Sequence, residues 1–101
     1  MGELQNWLLE QHPGLRTYKA FRLKALQLAS LETGHRAIYK LLADIAGRHV
    51  AFYDEKPVPV DVARDAYEKL IAAVSDAERS LDLSADQQLL VLNRIAAIEL
   101  S

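Results

Sequence analysis

Apolar positions along this chain recur with the period of a helix, not of a strand. Leu4, Trp7 and Leu8 share one face, and Tyr18, Phe21, Ala25, Leu28 and Ala29 follow the i, i+3, i+4, i+7 spacing. A third stripe runs through Ile38, Leu41, Leu42, Ile45, His49 and Phe52, and a fourth through Ala63, Tyr67, Leu70, Val74, Ala77 and Leu81. Charged residues take the other sides: Arg36, Lys40, Asp44 and Arg48 in the third segment, Arg64, Asp65, Glu68, Asp76 and Arg79 in the fourth. Each apolar face is wide enough to dock on other helices. His12-Pro13-Gly14, Thr33-Gly34 and Pro57-Val58-Pro59 punctuate the pattern, since proline ends a helix and pushes its predecessor out of the α region. Asp61 is the expected N-cap of the fourth segment, and Ser84 with Gln87 reads as a capping box that opens the fifth. These signals predict helices near residues 3–12, 15–33, 35–54, 60–80 and 84–99. Short connections make sequential helices antiparallel neighbours. The expected fold is all-α: an antiparallel four-helix bundle with an additional short N-terminal helix, in a single domain over residues 1–101.

The fifth segment departs from the two-sided pattern. Leu89, Leu92, Ala96 and Leu100 form one stripe, while Val91, Ile95 and Ile98 form another, roughly opposite, with Leu90 and Ala97 between them. A helix that is apolar nearly all round is covered all round. Two arrangements satisfy this: a helix at the centre of the bundle, or one half-covered by the bundle and half by a second copy or a partner. In the second arrangement Leu90, Val91, Arg94 and Ile98 are the candidate partner-binding residues.

Composition reinforces the helical reading. The chain has 17 Leu and 15 Ala but only six Val, five Ile and two Thr, and unbranched side chains lose less entropy in a helix than β-branched ones. There is no Cys, which excludes a disulfide scaffold, a thiolate metal site and a cysteine nucleophile. No apolar run approaches membrane-spanning length, and the Met1-Gly2-Glu3-Leu4 start lacks a signal-peptide pattern, so a cytoplasmic protein is expected.

The net charge of −2 conceals an asymmetry. Residues 1–50 hold seven Lys/Arg and four Asp/Glu, a sum of +3, whereas residues 51–101 hold five and ten, a sum of −5. The most basic stretch contains Arg16, Lys19 and Arg22, which spread over a polar sector and are candidates for anion contact. Three cations on duplex DNA give a salt slope of only about −2.7, too little for tight binding at physiological salt. Leu28 to Glu32, Thr33-Gly34 and His35 to Lys40 also permit a helix-turn-helix reading, although Ile38 and Leu42 belong to the core stripe. Glu32-Thr33-Gly34-His35 matches half of a carboxylate-bridged di-metal motif, with no second E-x-x-H to complete it. His35 and His49 would lie about 21 Å apart along one helix and cannot share a metal. His49 sits on the apolar stripe, where burial would lower its pKa. No phosphate loop, nucleophile elbow or H-E-x-x-H motif is present. No catalytic residue, metal or cofactor is expected, and the chain reads as a non-enzyme.

From Leu31 to Ile98 the chain resembles the immunity proteins that protect lactic acid bacteria from pediocin-like (class IIa) bacteriocins. The resemblance rests on Leu31-Glu32-Thr33-Gly34, the segment Ala37 to Leu42, the Pro57-Val58-Pro59 connector leading to Tyr67, and Leu83-Ser84 with Gln87. This chain is acidic and alanine-rich where that family is lysine-rich. The resemblance implies a cytoplasmic antiparallel four-helix bundle without catalytic activity, which recognises a bacteriocin-bound membrane receptor mainly through its C-terminal half. The function expected is therefore that of a small interaction protein, most specifically a bacteriocin immunity protein. The alternative is a dimeric helical adaptor or regulator that touches nucleic acid through the 16–24 face.

Overall fold

The computed structural model describes residues 2–53 and 56–100. Its elements are α1 (Glu3–Leu9), α2 (Leu15–Leu31), a 3-10 turn (Thr33–His35), α3 (Arg36–Phe52), α4 (Val60–Ser80) and α5 (Ala85–Ala96), with no strand among the described residues. The protein is an all-α bundle with a short N-terminal helix, as the periodicity predicts, and the differences lie at the ends. The first helix stops at Leu9 rather than near residue 12, because the Glu10 and Gln11 amides turn back to the Trp7 and Leu8 carbonyls. The expected end of the third helix at residue 54 falls outside the described residues. Helix α4 begins at Val60, so Asp61 lies inside its first turn and is not the cap. Pro59 is extended, and its carbonyl accepts the Ala63 amide directly. Ser84 does cap α5, its hydroxyl accepting from the Gln87 amide at 3.4 Å. The reciprocal bond from the Gln87 side chain does not form among the described residues. Instead, Gln88 Nε2 donates to the Leu83 and Leu81 carbonyls.

The core is one continuous cluster. Tyr18, Phe21, Ala25 and Ala29 of α2 meet Ile38, Leu42, Ile45 and Ala46 of α3, while Leu70, Val74 and Ala77 of α4 close the layer. Phe52, expected on the third stripe, is the last residue of α3 and lies 56% exposed. His49 is buried, its ring edge-on to Tyr18 at 4.5 Å and to Tyr53 at 5.3 Å. Burial lowers the His49 pKa below its ordinary value. Burial, together with the nearby Tyr67 hydroxyl, pushes the Tyr18 phenol up to about 12. The Tyr18 hydroxyl is enclosed with no hydrogen-bond partner among the described residues, an arrangement that costs about 1–3 kcal/mol.

Helix α1 is too short to be stable alone, and α4 holds it at both ends. The Glu78 carboxylate accepts the Leu4 amide at 3.1 Å and the Gln5 amide at 3.2 Å, satisfying two of the amides that a helix N-terminus leaves over. Three turns earlier on α4, the Tyr67 hydroxyl donates to the Leu8 carbonyl at 2.8 Å and lies 3.1 Å from the Gln11 carbonyl. Leu4 and Leu8 bury between these two anchors.

Helix α5 packs on α4 and α3 from the outside. Val91 and Ile95 point inward, with Val91 5% exposed, whereas Leu89 and Leu90 are 56% and 65% exposed. The central arrangement is therefore not realised, because α3 already occupies the interior with seven buried residues.

Candidate functional site

Helices α2 and α3 form an antiparallel hairpin. The turn between them is fixed by Arg36, whose Nε donates to the Ala29 carbonyl at 3.2 Å, and by Tyr39, whose hydroxyl donates to Glu32 at 3.0 Å. That bond and burial together raise the Tyr39 pKa, with burial the larger cause. The two helices run side by side from this turn to the Arg22–Gly47 level. The geometry is not the steep crossing that places a helix-turn-helix in a groove of DNA. The side of α3 that such a motif would expose is spent on the core through Ile38, Leu42 and Ile45.

On the outer side of the hairpin lies an open groove of about 840 Å³. Leu23 and Leu26 of α2 and Ala43, Gly47, Val50 and Ala51 of α3 give it an apolar floor. Small residues on α3 make the depression: a Cβ added at Gly47 would stand 3.2 Å from Arg22 Cδ and Nε, so the Arg22 stem lies directly across that glycine. Lys19, Arg22, Lys40 and Arg48 stand on the rim with Asp44. Asp44 is engaged by Arg48 Nε at 3.0 Å, and Arg48 Nη1 also meets Glu99 at 2.7 Å. Lys19, Arg22 and Lys40 make no ion pair among the described residues. The groove therefore presents three uncompensated cations over an apolar floor.

Of the candidate anion contacts, Lys19 and Arg22 meet in this groove and Arg16, also exposed, lies outside it. Lys24 points the other way, over the Trp7 ring at 5.6 Å. Lys40 completes the basic rim and was not among the candidates. Its position in the row Arg36, Lys40, Asp44, Arg48 is the sequence signal for it. Of the candidate partner-binding residues, Leu90 and Arg94 are exposed, Ile98 is half-buried, and Val91 faces the core. The four do not share one outward face, since the i, i+4 step from Val91 leads to buried Ile95. Glu32 and His35 flank the break between α2 and α3, and Glu32 is taken up by Tyr39. Among the described residues no group of three or more His, Asp or Glu side chains is placed to hold a metal ion. No helix among them is long and apolar enough to cross a membrane. The chain matches no protein-family model, no curated protein and no solved structure.

Proposed function

We propose that this chain is a non-enzymatic, cytoplasmic interaction protein that seats an acidic amphipathic helix of a protein partner in the α2–α3 groove. The observation that carries this reading is the pairing of an apolar floor with the unpaired cations Lys19, Arg22 and Lys40. Such a groove takes the apolar stripe of a helix on its floor, and the rim selects acidic flanks. The resemblance supplies a more specific form, a bacteriocin immunity protein whose partner is a membrane receptor–bacteriocin complex. It implies contact mainly through the C-terminal half, so in that form the groove adds to the α5 surface rather than replacing it. Affinity capture from the native host, followed by direct binding to the recovered partner, tests the reading. Lys19→Glu with Lys40→Glu should weaken that binding about tenfold or more, with a partner segment that is acidic and helical. Binding that survives this pair but is lost in Leu90→Glu overturns the groove in favour of α5. Protection of a sensitive lactic acid bacterium on expression of the chain tests the immunity form.

The outward leucines of α5 favour a second reading, self-association through that helix. Leu83, just before the helix, and Leu89 and Leu90 in its first half are exposed.

A further inference from the structure

We infer that the protein binds a small amphipathic carboxylate in a cavity at the opposite side of α3, distinct from the partner groove. This cavity, of about 430 Å³, lies where the start of α2, the end of α3 and the start of α4 converge. Its size falls in the range of small-molecule sites. Leu15, Val58, Val60 and Ala63 supply apolar walls, and Tyr18 and His49 also line it. Tyr18 is only 1% exposed, and its hydroxyl has no hydrogen-bond partner among the described residues. An enclosed hydroxyl left unsatisfied beside a cavity is a group that a bound polar atom would satisfy. Among the described residues Arg64 is the one arginine or lysine in the lining, is exposed, and makes no ion pair. No Asp or Glu among the described residues is in the lining. An apolar wall, one unsatisfied hydroxyl and one guanidinium outside any ion pair among the described residues together describe a ligand with a compact hydrocarbon body and a single anionic head. A dianion would leave charge uncompensated, and a cation would meet Arg64.

Octanoate is the probe, titrated into the full chain by calorimetry and followed by amide NMR shifts, with 1-octanol as the neutral counterpart. Saturable one-to-one binding is expected, with shifts centred on Leu15, Tyr18, Ala63 and Arg64. Arg64→Gln should weaken octanoate about three- to fivefold, the effect of an exposed ion pair, and leave 1-octanol unchanged. Tyr18→Phe should weaken octanoate about fivefold without lowering the melting temperature of the free protein, because it removes an unsatisfied hydroxyl. Ala63→Leu fills the cavity and should abolish binding. Because that variant could disturb α4, the exposed Arg64→Gln variant and the shift map decide the matter independently. Absence of saturation at about 10 mM octanoate, shifts centred on the α2–α3 groove, or equal loss of octanoate and octanol in Arg64→Gln would each overturn the inference.

Discussion

Truncating Glu78 to alanine removes the side-chain anchor that, among the described residues, holds the N-terminus of α1. Glu78 is 8% exposed, and its carboxylate accepts two first-turn amides at 3.1 and 3.2 Å. A hydrogen bond to a charged group contributes about 1.5–3 kcal/mol. The two here are not worth twice that. The Leu4 bond is buried, but the Gln5 amide is only partly so, and water can replace the acceptor there. The favourable placement of a negative charge at a helix N-terminus overlaps with the same two bonds. A loss of about 2–4 kcal/mol is expected for Glu78→Ala. Glu78→Gln should lose about half as much, since its carbonyl oxygen keeps one acceptor without the charge. Either is a large part of the roughly 5–15 kcal/mol that holds a domain together. Urea denaturation measures the loss, with exposed Glu68→Ala on the same helix as the control. The chain's single tryptophan, Trp7, lies on α1 and packs partly against the core, so its fluorescence reports α1 separately from the helical signal. Release of α1 before the rest unfolds would appear as an early red shift and a smaller m-value. A Glu78→Ala protein within about 0.5 kcal/mol of wild type, or indistinguishable from Glu68→Ala, would refute the clamp.

Three further outcomes are expected. Leu70→Ala and Ile45→Ala remove fully buried side chains and should each cost about 2–5 kcal/mol in denaturant titration, the range for cavity-forming core truncations. Because burial lowers the His49 pKa, the unfolded chain takes up a proton below about pH 6.5 that the folded chain resists. Stability should therefore be complete above that pH and fall on acidification by at most about 1.4 kcal/mol per pH unit; melting scans from pH 7.5 to 5.5 should show a shallower slope in His49→Phe. If α5 joins two copies, Leu89→Glu with Leu90→Glu should reduce the mass seen by light scattering at high micromolar concentration with helicity unchanged, and a wild-type mass of 11.3 kDa would dismiss the contact.

The helices were legible in the sequence because each stripe is a local pattern that the backbone period alone decodes. Tyr18, Phe21, Ala25 and Ala29, or Leu70, Val74 and Ala77, bury as their spacing requires. The α1 clamp is not legible from local pattern, although one signal for it exists: Glu78 stands four residues after Val74 and eight after Leu70, a charge on an apolar stripe. Such a charge needs a partner when buried, but nothing in the sequence says that the partners are amides 74 and 73 residues away. The groove was half-read for a similar reason. Lys19 and Arg22 belong to one local pattern and Lys40 to another, and only the register of the α2–α3 hairpin brings them to one rim. Asp61 is not the cap because α4 begins one residue earlier, at Val60, with extended Pro59 in the N-cap position and its carbonyl accepting the Ala63 amide.

The all-round apolar character of α5 has a physical resolution that bears on function. A 12-residue helix lying outside the bundle buries only one side, here through Val91 and Ile95. A marginal helix of that length would fray, yet both ends are tied. Ser84 caps its first turn, Gln88 bonds back to Leu81 and Leu83, and beyond its last turn Leu100 is buried while Glu99 meets Arg48. Leu89 and Leu90 are therefore presented on a fixed element, so a contact there would lose little additional conformational entropy. Arg48 also lines the α2–α3 groove and bonds Asp44 on its own helix, so one side chain links the end of α5 to the groove rim. A partner whose acidic flank competes for Arg48 would loosen the Glu99 tie. Glu99→Gln is the variant that separates the two roles. It should leave the groove floor intact while making the residues after Ala96 exchange amide hydrogens faster, and unchanged exchange there would show that Arg48 does not hold the two surfaces together.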